Sequence, residues 1–201
     1  MQITSDALVF FGATGDLAHK KIFPALQRLA KRGKLEIPVI GVAKSGWDLQ
    51  QLQDRAKDSV ENYGGVDTEG FPKLISKLKY IDGDYGDPAT FAKLRQELGA
   101  SQRPLHYLAI PPFLFAEVLN RLKASGCAVG GRVVIEKPFG HDLASAHALS
   151  EVVHTAFAEE PHRRDPGRRA ESPFAGSDQH RDGTAAWLVS RNCSRRARAG
   201  S

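Results

Sequence analysis

Only two cysteines, Cys127 and Cys193, occur among the 201 residues. Two thiols make neither a disulfide framework nor, by themselves, a zinc site, so a reducing, cytoplasmic setting is expected. No apolar run approaches the roughly 18 residues of a membrane span, so no membrane partner is expected. The opening MQITSDALVF lacks a basic start and a long apolar core, so no signal peptide is read. Charged residues at 25% and apolar residues at 41% are ordinary globular proportions, which excludes wholesale disorder and collagen.

Lysine is missing from the last 44 residues, where arginine alone supplies the basic charge. The whole chain carries +5. Residues 1–157 hold 12 Lys and 7 Arg against 17 acids, whereas residues 158–201 hold 9 Arg and 6 acids. The basic excess therefore sits mostly in a short tail and is weak evidence for a nucleic-acid partner; none is expected. The tail shows neither helical nor strand period, and Pro161, Pro166 and Pro173 interrupt it. It is read as irregular and disordered. Its Arg-only basic content suggests a second origin, namely a GC-rich stretch translated out of frame after Phe157. The rival reading is a genuine disordered interaction tail.

Residues 1–157 alternate between strand-like and helix-like runs. Strands are expected at Ala7–Phe11, Pro38–Ala43, Leu78–Ile81, Leu105–Ile110 and Arg132–Ile135. Helices are expected at Asp16–Lys31, Leu49–Tyr63, Glu69–Lys77, Pro88–Leu98, Phe115–Ala124 and Asp142–Phe157. This alternation predicts an α/β fold, a Rossmann-like doubly wound parallel sheet with its ligand at the strand C-termini. The expected organisation is one coenzyme-binding domain over 1–157 and an Arg-rich tail over 158–201.

Gly12-Ala13-Thr14-Gly15-Asp16-Leu17-Ala18 follows the first strand and opens the first helix. This is the G-x-x-G-x-x-A form of the dinucleotide turn. Glycine lets the chain turn sharply and brings a pyrophosphate against bare backbone, and the helix start offers free N–H groups. The second strand ends Ala43-Lys44-Ser45, with no acid before Asp48. An acid there would accept the ribose 2′-hydroxyl of NAD; a cation and a hydroxyl suit a 2′-phosphate, so NADP is expected. Glu136-Lys137-Pro138 follows the fifth strand and puts a cation beside the expected nicotinamide position. His147, Glu151 and His154 share a helix face, but lacking a fourth ligand they are read as an exposed polar face, and no metal is expected. Cys127 is read as a packed side chain, and Lys20-Lys21 as either phosphate helpers or a solvated face.

Together, Phe11-Gly-Ala-Thr-Gly-Asp-Leu-Ala-His-Lys-Lys21, Ala109-Ile110-Pro111-Pro112 and Glu136-Lys137-Pro138-Phe139-Gly140-His141-Asp142 resemble glucose-6-phosphate 1-dehydrogenase over about residues 5–157. The resemblance implies NADP-dependent oxidation of glucose 6-phosphate to a lactone, the entry to the pentose phosphate pathway. It implies that Gly12 to His19 form the phosphate turn and that Lys44 meets the 2′-phosphate. It implies that Asp84 and Tyr85 are adenine-side contacts and that Lys137 touches both coenzyme and glucose 6-phosphate. The family's His-Tyr-Leu-Gly segment, its general-base histidine and its second domain have no counterpart here. No catalytic residue is therefore assigned, and a truncated chain retaining coenzyme binding with little turnover is expected. The family is homo-oligomeric; the sequence leaves this chain's state open. Two alternatives stand: another two-domain Rossmann oxidoreductase carrying Glu-Lys-Pro, or a non-catalytic NADP-binding module.

Overall fold

A computed structural model of the chain describes residues 5–135, 153, 156–157 and 188–191. Five parallel strands form the sheet: β1 (Ala7–Phe11), β2 (Val39–Ala43), β3 (Leu78–Asp82), β4 (Pro104–Leu108) and β5 (Arg132–Ile135). A sixth, β6 (Leu188–Arg191), pairs antiparallel on the β5 edge, and the order across the sheet is β3-β2-β1-β4-β5-β6. The helices are α1 (Phe23–Lys31), α2 (Leu49–Asn62), α3 (Gly70–Lys77), α4 (Pro88–Leu98) and α5 (Phe115–Ala124). The chain runs outward from β1 through β2 to β3, then returns to place β4 on the other side of β1. The reversal opens a crevice above β1, where doubly wound folds take their ligands.

The strands read as unbroken apolar runs because helices cover both faces of the sheet. All five residues of β1 are buried, and so are all five of β2 and β4. Alternate side chains serve opposite cores. Val9 and Phe11 point to a layer with Phe91 and Leu94 of α4 and Val118 and Leu119 of α5. Leu8 and Phe10 point to a layer with Phe23 and Leu26 of α1 and Leu52 and Ala56 of α2. Each fully buried Phe or Leu contributes about 1.5–3 kcal/mol relative to exposure. Val153, Ala156 and Phe157 join the first layer. Most of the expected helix over Asp142–Phe157 lies outside the described residues.

Three expectations need correction. The single helix expected over Asp16–Lys31 contains a π-helical turn at Ala18–Ile22, immediately before α1. Pro24 is the cause: it has no N–H and its ring crowds the preceding turn, so the turn widens. Phe23 N–H reaches back five residues to the Ala18 carbonyl. The fourth strand stops at Leu108 rather than Ile110, because Pro111 and Pro112 follow and offer no ladder donor. The tail, read as lacking any strand, contributes β6. The β5 edge presents unpaired backbone groups that an extended segment can satisfy, and Leu188-Val189 is such a segment. The remainder of 158–201 lies outside the described residues.

Candidate functional site

The turn after β1 is tied to three other strand ends. Gly12 N–H is shared between the Val42 carbonyl and the Tyr85 hydroxyl, both at 2.9 Å. The Tyr85 hydroxyl in turn donates to the Val42 carbonyl at 3.2 Å. Burial pushes the Tyr85 phenol up to about 12, so it stays a neutral donor. Ala109 N–H donates to the Phe11 carbonyl at 3.0 Å. Gly12 has φ +82°, and a Cβ there would fall on the Ala109 carbonyl oxygen, 2.9 Å from its carbon. No residue with a side chain fits. A Cβ on Gly15 would stand 3.3 Å from the Gly12 carbonyl oxygen, a tight contact with backbone.

The rest of the turn follows the sequence reading in placement. Ala13 and Ala18 are fully buried. The Ala13 methyl is why Gly41 of β2 has no side chain: a Cβ there would stand 2.8 Å from it. Thr14, Gly15 and Asp16 lie at the exposed rim, with Leu17 packed against the α1–α3 layer. No side chain caps the helix at this point. Lys20 Nζ bonds Asp16 at 3.0 Å; that hydrogen bond holds the Asp16 carboxyl below its usual range and offsets an anion beside a phosphate turn.

His19 turns elsewhere. Its Nε2 lies 2.6 Å from Asp58 Oδ2 on α2, and Tyr63 meets its ring edge-on. Its carbonyl is the one that Pro24 would serve in the π register. The Ser59 hydroxyl donates to it instead. This residue is thus built into the α2 packing rather than aimed over the turn.

At the end of β2 the expected cation meets Asp84, expected on the adenine side, and beside them stands Asp82, which the sequence reading did not name. Lys44 Nζ donates to Asp84 Oδ2 at 2.6 Å. Asp82, the last residue of β3, accepts from the N–H groups of Ser45 and Gly46 at 2.9 and 2.8 Å. The Ser45 hydroxyl is 2.7 Å from the Tyr80 hydroxyl. Hydrogen bonds to Ser45 and Gly46 hold the Asp82 carboxyl below its usual range, and the bond from Lys44 does the same for Asp84. Asp82 escaped sequence reasoning because the strand was ended at Ile81. The signal was the carboxylate directly after an apolar strand in Ile81-Asp82-Gly83-Asp84. Lys137 lies outside the described residues, as do His147, Glu151 and His154. Among the described residues, no group of three His, Cys, Asp or Glu side chains is placed to hold a metal ion.

Residues 9–163 match the family model described as glucose-6-phosphate dehydrogenase, NAD binding domain. The chain is 40% identical over 156 residues to glucose-6-phosphate 1-dehydrogenase 1 of Mycobacterium bovis, covering 78% of this chain and 34% of that protein. The Bacillus subtilis glucose-6-phosphate 1-dehydrogenase is 33% identical over 165 residues, covering 76% and 33%. The Mycobacterium avium glucose-6-phosphate 1-dehydrogenase crystal structure superposes with TM-score 0.72 at 43% identity, covering 76% of this chain and 34% of that one. A glucose-6-phosphate dehydrogenase solved with glucose 6-phosphate superposes with TM-score 0.69 at 32% identity, covering 79% and 36%. The chain spans about a third of the length of these relatives. A family model matched over most of the chain, on a sheet whose reversal point carries the Gly12–Ala18 turn, shows that this chain belongs to the glucose-6-phosphate dehydrogenase family.

Proposed function

We propose that this chain supplies the NADP-binding part of a glucose-6-phosphate dehydrogenase. The observation that carries the reading is the cradle at Gly12, where close approach of the Ala109 carbonyl leaves backbone and no side chain. The pyrophosphate would lie over Gly12 to Gly15, against the helix start. Lys44 would meet the 2′-phosphate, and Ser45 stands beside it on a loop held by Asp82. When bound, NADP supplies the hydride acceptor for oxidation of the sugar C1 hydroxyl. The chain's part is to hold the coenzyme: Tyr85 and Val42 lock the turn, and the uncapped helix start receives the anion. Lys137 is the residue proposed to touch both coenzyme and glucose 6-phosphate, by the family match of Glu136-Lys137-Pro138.

A cytoplasmic setting fits the scarcity of cysteine. Cys127 is a buried free thiol, and among the described residues no helix is long and apolar enough to cross a membrane. Equilibrium dialysis of the full chain with NADP tests the reading. Saturable one-site binding is expected, weakened roughly tenfold in Lys44→Gln, the scale of one charge-assisted hydrogen bond. Absence of saturable NADP binding to a folded chain refutes it.

A further inference from the structure

The end of β2 carries no acid of its own, yet β3 delivers two carboxylates to it. They differ in what they hold. Asp82 Oδ1 accepts from Ser45 N–H, Gly46 N–H and the Tyr80 hydroxyl, so this carboxylate fastens the loop and makes no bond to Lys44. Asp84 is held on one side only: Oδ1 accepts from Gly86 N–H at 2.8 Å, which fixes the carboxylate plane. Oδ2 is left to Lys44. Both partners of the ion pair are accessible, with side-chain exposures of 70% for Lys44 and 49% for Asp84.

A carboxylate and an ammonium at this place favour opposite ligands. A ribose 2′-hydroxyl donates to a carboxylate; a 2′-phosphate takes the ammonium and is repelled by the carboxylate. We propose that Asp84 is a specificity-determining residue that tempers the preference for NADP and lets the same site accept NAD. In NADP binding the 2′-phosphate competes with Asp84 for Lys44. In NAD binding Asp84 Oδ2 accepts the 2′-hydroxyl, and Lys44 remains paired with the carboxylate. The inference rests on the coenzyme reading above and adds to it the choice between the two coenzymes. An exposed pair is screened by salt, so the competition is expected to fade as ionic strength rises.

The test is the pair of dissociation constants for NADP and NAD, measured by calorimetry on the full chain and on Asp84→Asn. Asparagine keeps an acceptor for Gly86 N–H while removing the charge. The wild-type chain is expected to bind both coenzymes. In D84N, NADP should tighten and NAD should weaken, moving their ratio by roughly tenfold, the scale of one charge-assisted hydrogen bond. Lys44→Gln should move the ratio the opposite way. If D84N leaves the ratio within about twofold while NADP still binds, the proposal is wrong and the coenzyme site stands. If D84N weakens both coenzymes equally, Asp84 merely shapes the loop, and the proposal is again wrong. If the folded wild-type chain binds neither coenzyme, both readings fall.

Discussion

Lowering the pH should destabilise this fold through one buried imidazole. His106 sits in the middle of β4 with no solvent exposure. Its Nε2 lies 2.9 Å from the Cys127 carbonyl, which can only accept, so the proton resides on Nε2. Nδ1 is buried and has no hydrogen-bond partner among the described residues. The rings of Phe11 and Phe157 stand 6.5 and 6.0 Å away. A second proton would put a charge among these rings with no acceptor for it. Burial accordingly pushes the imidazole down to about 4. An unfolded chain protonates it near 6.5, so between those values the unfolded state holds the extra proton. Stability is full above pH 6.5 and falls as the pH drops toward 4. Integrated from pH 7.5 to 5, this one group removes about 2 kcal/mol.

The assay is urea unfolding followed by circular dichroism at pH 7.5 and pH 5, on the wild-type chain and His106→Gln. The glutamine amide can keep a donor at the Nε2 position for the Cys127 carbonyl, and it does not titrate. Every other ionisable group is common to both proteins, so the difference in their pH dependence isolates His106. The wild type should lose about 2 kcal/mol more than H106Q over this range. Equal losses, within about 0.5 kcal/mol, would mean that the imidazole is not neutral and desolvated in the fold, and the burial argument fails.

Other consequences follow from the same contacts. Gly12→Ala sets a methyl on the Ala109 carbonyl and forces a side chain into the left-handed region; NADP affinity by dialysis should fall at least tenfold, about 1.4 kcal/mol. Ser59→Ala leaves the buried His19 carbonyl without its donor and should cost about 1–3 kcal/mol in urea unfolding. Pro24→Ala restores the missing N–H, so the Ser59→Ala loss should shrink by about half or more in that background; an unchanged loss would sink the explanation of the π-helical turn.

The parallel α/β fold was legible because burial on both sheet faces writes long apolar runs, such as Ala7–Phe11 and Val39–Ala43, that stand apart from amphipathic helices. The glycine turn between β1 and the first helix was legible because its requirements are local: Gly12 takes the positive φ and Ala18 is buried. What escaped was non-local. Nothing in Ala43-Lys44-Ser45 announces that Asp82 and Asp84, about 40 residues on, close around it. Nothing around Gly12 points to a tyrosine hydroxyl from 73 residues downstream. His19 looked like part of the turn because it follows it in sequence, yet its ring belongs to Asp58 of α2. Pro24 was visible, but its effect emerges only with the Ser59 hydroxyl that takes the orphaned carbonyl. β6 pairs through backbone groups, which leave almost no trace in composition.

The contacts at Gly12 join two of the motifs quoted from the sequence, the glycine turn itself and the one that begins at Ala109. β2 holds the turn through Val42, the chain beyond β3 holds it through Tyr85, and the chain beyond β4 presses on it through Ala109. Each contact comes from a different crossover, so the turn cannot move without disturbing three strand ends. A phosphate arriving there would meet a backbone already held in place, and less ordering entropy would oppose binding. The proposed 2′ end is built differently: Lys44 and Asp84 form an exposed ion pair that would have to open to receive a phosphate. Affinity for the pyrophosphate should therefore resist salt better than discrimination at the ribose, because a held backbone is not screened away, while Lys44 and Asp84 are.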